Sequence, residues 1–185
     1  MSHKHFSLFL PVLLGAVNGF AQVTLNTIPS RIVGHPTAEG FHVTNYNPNL
    51  VEGREVYSPA GLAIDTTATP PILYVSDSGN NRVLAWKNPA SFANGQTADL
   101  VIGQPDMFTT IPAGPGSTFT AGLTAPTGIA AWNGDLYVVD SGNNRVLRFP
   151  KPFANVGQEV PNLIIGQPTL NSRVTNYPSG SPTAA

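Results

Sequence analysis

Three blocks of sequence recur in one order, and that repetition limits what this chain can fold into more than its composition does. Tyr74-Val75-Ser76-Asp77-Ser78-Gly79-Asn80-Asn81-Arg82-Val83-Leu84 returns 63 positions later as Tyr137-Val138-Val139-Asp140-Ser141-Gly142-Asn143-Asn144-Arg145-Val146-Leu147. Leu100-Val101-Ile102-Gly103-Gln104-Pro105 returns at the same offset as Leu163-Ile164-Ile165-Gly166-Gln167-Pro168. Upstream, Pro59-Ala60-Gly61-Leu62-Ala63 matches Pro126-Thr127-Gly128-Ile129-Ala130 at an offset of 67, so the first copy carries four more residues after this block.

Each copy predicts four strands: Gly61–Asp65, Ile72–Asp77, Arg82–Trp86 and Leu100–Gly103, then Gly128–Trp132, Asp135–Asp140, Arg145–Phe149 and Leu163–Gly166. Short β-branched and aromatic runs between Gly, Pro, Asn and Ser clusters are the mark of an all-β chain, and no stretch has helical spacing. A proline opens each first strand, where its missing N–H costs the ladder nothing. One four-stranded sheet has two apolar faces and two bare edges. Setting such sheets around an axis buries both faces, which makes a β-propeller the expected fold; a solenoid of hairpins is the rival. The expected content is two complete blades plus a lone N-terminal outer strand, because Ile32-Val33-Gly34-His35-Pro36 resembles the fourth strand without three strands before it. A ring takes about 4–8 blades, so the chain reads as the N-terminal portion of a longer propeller or as a piece that closes by self-association. The implied divisions are a leader at 1–21, the outer strand and linker at 22–57, a first blade with its linker at 58–124, a second blade at 125–168, and a linker to a further blade at 169–185.

The leader has the form of a signal peptide. Lys4 lies between His3 and His5, Phe6 to Val17 is apolar but broken by Pro11, and Gly19-Phe20-Ala21 offers a cleavage site before Gln22. The apolar run is too short to span a bilayer, so the expectation is a secreted or periplasmic protein without a stable membrane span after cleavage. No cysteine is present, and the exported chain would rely on its core rather than on disulfides. Charged residues are only 10% of the chain and the formal net charge is −1, with no basic cluster, which argues against nucleic acid as a partner.

Asp77-Ser78-Gly79-Asn80-Asn81-Arg82-Val83 and its twin at 140–146 resemble the NHL-repeat family, and the preceding Pro-x-Gly-(Leu/Ile)-Ala block strengthens the likeness. It covers roughly residues 58–168 with a period longer than the family's usual forty-odd residues; the surplus follows the third strand and the Gly-Gln-Pro block. The resemblance implies a propeller, most often six-bladed, that generally serves as a binding platform.

Read from the residues themselves, the motif is structural. Four turn residues set Asp77 opposite Arg82 and Asp140 opposite Arg145 as cross-strand ion pairs. The aspartates can take turn N–H groups, while Gly79, Asn81, Gly142 and Asn144 tolerate positive φ. A calcium loop would need glycine where Arg82 stands and a bidentate Glu where Asn88 and Lys151 stand. No catalytic, cofactor-binding or metal-binding residue is assigned: beyond the leader only His35 and His42 remain, neither in a metal motif. Gly114-Pro115-Gly116-Ser117-Thr118 lacks both the nucleophile-elbow and the phosphate-loop frames, and reads as an extended linker. Asp65 ends an inner strand, but its counterpart is Trp132, and one acid is thin support for acid–base chemistry. The function expected is a non-catalytic scaffold binding a protein or glycan at loop surfaces, chiefly Asp106–Thr124 and Thr37–Ser58. The rival is part of a propeller lyase or hydrolase whose metal ligands lie mostly in absent blades.

Overall fold

The computed structural model describes residues 33–34, 51–116, 119–155 and 157–178; the expected leader, His35 and His42 lie outside these residues. Two four-stranded antiparallel sheets hold the described chain. The first comprises β1 (Pro59–Asp65), β2 (Ile72–Asp77), β3 (Arg82–Lys87) and β4 (Leu100–Ile102); the second comprises β5 (Pro126–Trp132), β6 (Asp135–Asp140), β7 (Arg145–Phe149) and β8 (Leu163–Ile165). In each sheet, neighbours in sequence are neighbours in space. The chain therefore builds two β-propeller blades.

The strand ends differ from expectation for local reasons. Both first strands start two residues early, at Pro59 and Pro126, and absorb the extra length in register shifts between Pro59 and Gly61 and between Pro126 and Ile129. Both fourth strands stop one residue early, because Gly103 and Gly166 turn to φ +91° and leave the ladder.

Alternation of side chains across the strands decides the packing. Ile72, Tyr74, Val83, Ala85 and Ile102 of blade 1 meet Leu136, Val138, Leu147 and Phe149 of blade 2, with Ala121 and Leu123 of the connecting loop closing the layer. The opposite face of blade 1 presents Leu73, Val75, Leu84 and Trp86, which lie under Val33, Val56, Ala98 and Met107. The middle strands of blade 1 are thus covered on both faces and β2 is buried at every position, while Leu62 and Ile64 of β1 stay exposed on the outward face; β6 is fully buried only at alternate positions.

Residues 33–34 stand before blade 1 as the end of β4 stands before blade 2. Gly34 forms a parallel bridge with Glu55 and accepts the Val56 N–H at 3.3 Å. A side chain on Gly34 would strike Val56, just as one on Gly103 would strike Leu123.

The blades meet most closely at their inner strands. At Gly61 a Cβ would collide with the Thr127 carbonyl oxygen and approach the Ile129 nitrogen, both backbone atoms of the next blade. The Ser76 hydroxyl donates to that same Thr127 oxygen at 2.7 Å. Gly128, the repeat twin of Gly61, has only the side chain of Val139 within reach, at 3.2 Å. Gly61→Ala is expected to cost about 1–3 kcal/mol, because neither backbone can yield without strain. Gly128→Ala should cost clearly less, and urea unfolding of the two variants checks the difference.

Candidate functional site

The turn between the second and third strands organises each blade. A single 3-10 turn, Ser78–Asn80 or Ser141–Asn143, ends on an asparagine in the left-handed region, with φ +56° at Asn81 and +54° at Asn144. Asparagine tolerates this backbone better than most residues. The turn glycines serve a different need from the positive φ expected of them. Gly79 leaves room for the Tyr57 ring and carbonyl, and Gly142 leaves room for Thr124. In return Gly79 N–H donates to Tyr57 O at 2.8 Å and Gly142 N–H to Thr124 O at 2.9 Å.

Asp77 pairs with Arg82 across the ladder, and Asp140 with Arg145. Each salt bridge measures 2.7 Å from Nε to Oδ2, with both side chains fully buried. Burial of an ion pair is tolerable only where further hydrogen bonds satisfy it. Here they do. Asp77 also accepts the Tyr57 N–H at 2.6 Å and the Asn80 amide at 2.9 Å; Asp140 accepts the Thr124 N–H at 2.7 Å and the Asn143 amide at 2.8 Å.

The remaining donors reach outward to the loop after Gly-Gln-Pro. Arg82 Nη1 donates to Met107 O at 2.5 Å, Asn81 Nδ2 to Thr110 O at 2.9 Å, and Gln104 Nε2 to Ile111 O at 2.9 Å. The second blade repeats the clamp: Arg145 donates to Leu170 O, Asn144 to Arg173 O at 3.2 Å, and Gln167 to Val174 O at 2.7 Å. These acceptors are main-chain carbonyls, so the clamp fixes the path of each loop chiefly through its backbone; in the second loop Ser172 Oγ also donates to Gln167 Oε1 at 2.7 Å and Asn144 reaches Thr175 Oγ1 at 3.5 Å. Where the segment expected as an extended linker begins, the chain turns back: Gly114 N–H donates to Ile111 O and Ala113 N–H to Leu123 O, each at 2.8 Å, while residues 117–118 lie outside the described ones.

The side chains held on these paths differ between the copies. Phe108 is 72% exposed and Ile111 49%, where the second loop has Asn171 and Val174. Asp106 caps the first loop by accepting Phe108 N–H at 2.9 Å and the Thr109 hydroxyl at 2.8 Å. Those bonds hold its carboxyl below the usual range, Thr109 contributing most. Asn81 Oδ1 also accepts the Ala125 N–H at 2.9 Å, tying the turn of blade 1 to the entry of blade 2.

Other acids are spent locally. Asp65 takes the N–H and hydroxyl of Thr67 at 2.9 and 2.6 Å. Asp99 takes Lys87 N–H at 2.7 Å. Glu159 takes Phe153 N–H and the Asn155 amide, at 3.3 and 2.7 Å. A polar cleft of about 320 Å³ opens between the blades, lined by Asp65, Thr67, Asn133 and Lys151 among others. Beside Asp65, burial first and then the Asp65 and Glu159 charges push the Tyr74 hydroxyl well above its usual range. Among the described residues, no three His, Cys, Asp or Glu side chains group where they could hold a metal.

Glu55 is the acid that sequence reading overlooked. It lies in the linker, its repeat counterpart is Gly122, and no pattern marks it. It is 1% exposed and neither carboxyl oxygen has a hydrogen-bond partner. Desolvation, then the Glu52 charge, raises its pKa above the ordinary 4.5.

Two predictions follow from these groups. Arg82→Ala should cost about 3–5 kcal/mol by leaving Asp77 charged and buried, read from chemical unfolding. Because the folded pKa of Glu55 is raised, its protonated form favours the folded state. Its stability contribution is whole below the unfolded pKa and lost as pH rises through the folded value. Glu55→Gln should therefore stabilise the protein at pH 7 and flatten the decline in stability above pH 4.5, by unfolding across a pH series.

Residues 123–149 match the NHL repeat, a span running from the end of the connecting loop through β5, β6 and β7. No curated protein matches the chain. Among solved structures, it is similar to a chain in the crystal structure of a nidogen/laminin complex, at 16% identity and a TM-score of 0.36. The likeness covers 60% of this chain and 31% of that one.

Proposed function

Because the chain carries the NHL repeat and folds as propeller blades, we propose that it is an exported, non-catalytic interaction scaffold whose recognition elements are the clamped loops. The observation that carries this reading is the main-chain clamp itself. Arg82, Asn81 and Gln104 hold carbonyls of 107, 110 and 111, and their twins hold 170, 173 and 174, while outside the clamp Phe108 and Ile111 of the first loop give way to Asn171 and Val174 in the second. A fixed path with variable exposed side chains is what a binding loop on a rigid frame needs. Phe108 and Ile111 supply apolar contact area on the first loop, and Arg173 and Val174 offer a mixed surface on the second.

The ligand class is a protein or glycan surface, met over several loops rather than in one deep cavity. The Thr37–Ser58 linker belongs to the same series by sequence, although residues 37–50 lie outside the described ones. Export rests on the leader sequence at residues 1–21.

Screening the chain against a displayed random-peptide library and a glycan array should return binders. Phe108→Ala with Ile111→Ser should weaken those binders at least tenfold and leave the circular dichroism and unfolding midpoint unchanged. Binders indifferent to both loops, or no binder at all, would sink the scaffold reading. Fusing residues 1–30 to a phosphatase that is active only outside the cytoplasm tests export separately, and activity is the expected result.

A further inference from the structure

The polar cleft between the blades lies at the opposite end of the strands from the clamped loops, and it is built by what the two copies do not share. One wall comes from blade 1. Asp65 ends β1, Ile72 starts β2, and Thr67 and Ala68 lie in the connection that is four residues longer than its counterpart. The other wall comes from blade 2, as the Asn133-Gly134 turn with Lys151 and Pro152 of the loop after β7. The walls meet at Gly134, where a Cβ would stand 3.6 Å from Thr67 Oγ1 and 3.7 Å from Lys151 Cγ. Both walls therefore belong to described blades.

Its polar groups are held in place from behind. Asp65 is buried and takes the N–H and hydroxyl of Thr67. The Lys151 loop is held by Glu159, which accepts the Phe153 N–H, and by Lys87 of blade 1, whose ammonium stands 4.7 Å from the centre of the Phe153 ring. Lys151 itself has φ +40°, a costly backbone for lysine; its twin Asn88 has φ +54°, which asparagine tolerates. A lysine strained at the rim of a cavity points to a use for its ammonium. Among the described residues, neither Asp65 nor Lys151 enters a salt bridge, so one wall offers an unmatched carboxylate and the other an unmatched ammonium. Ala68, Ile72 and Pro152 add apolar lining. The volume is at the small end of small-molecule sites, which run to roughly 300–1,000 Å³. A ligand that answers both charges and the apolar lining is a small zwitterion with a hydrocarbon side chain. We propose that the cleft binds a free aliphatic α-amino acid, its ammonium on Asp65 and its carboxylate on Lys151.

Equilibrium dialysis of the full chain against labelled leucine and valine tests it. At least one should be retained. Leucinamide, which lacks the carboxylate, and N-acetylleucine, which lacks the ammonium, should each compete at least tenfold more weakly than unlabelled leucine. Lys151→Asn restores the residue of the twin position at a backbone angle asparagine accepts. It should weaken binding at least tenfold without lowering the unfolding midpoint. Phe108→Ala with Ile111→Ser should leave binding intact, which separates this cleft from the clamped loops. Retention of neither amino acid, equal competition by either probe, binding untouched by Lys151→Asn, or binding lost with the loop variant would each overturn the proposal.

Discussion

Two ion pairs held wholly out of water govern this structure. The Asp77–Arg82 and Asp140–Arg145 pairs have no exposed side-chain surface, and burying such ions is expensive unless each lone pair and proton is met. The requirement propagates outward. Asp77 needs a third donor and takes the backbone of Tyr57; Arg82 needs further acceptors and takes the carbonyls of Met107 and Glu55, the latter at 3.4 Å. Segments 20 to 27 residues away in sequence are therefore held at the turn because the ion pair would otherwise be left unsatisfied. The pair acts as a placement device more than as a source of net stability.

The strands were legible because their signal is local. Ile72–Asp77, Asp135–Asp140 and Arg145–Phe149 form where the alternation of residues and the flanking turn chemistry put them. Asp77 and Arg82 could be placed opposite one another because four turn residues leave little choice of register. The partners of the motif were not legible. Nothing in Met107, Thr110 or Ile111 as residue types says that their carbonyls are gripped, since any residue supplies a carbonyl. The role of Gly79 was misread for a related reason: a sequence shows that a glycine is present, but not whether backbone angle or a neighbour's bulk requires it. Glu55 was invisible because burial of a linker residue depends on what packs over it.

The same separation of path from side chain lets loop surface and frame vary independently on one short period. Selection on the loops can change Phe108 or Asn171 without touching the groups that hold the backbone in place. Selection on the frame acts on a different set, the turn residues and the alternating apolar positions of β2, β3, β6 and β7. The ties from Asn81 to Ala125 and from Ser76 to Thr127 then carry the frame from one blade into the next.

Unequal cover on the two blades gives the molecule a direction in which it loosens. All six residues of β2 are buried, while every residue of β8 is at least partly exposed. Backbone amides of β2 and β3, buried almost throughout, exchange with solvent chiefly when the interface with blade 2 is lost, an opening close to global unfolding. Amides around β8 sit on a three-residue ladder at an open face, and small local openings suffice to release them. The chain thus comes apart from its second blade toward its first, and any partner resting on that second blade would raise the protection of β8 before that of any other strand.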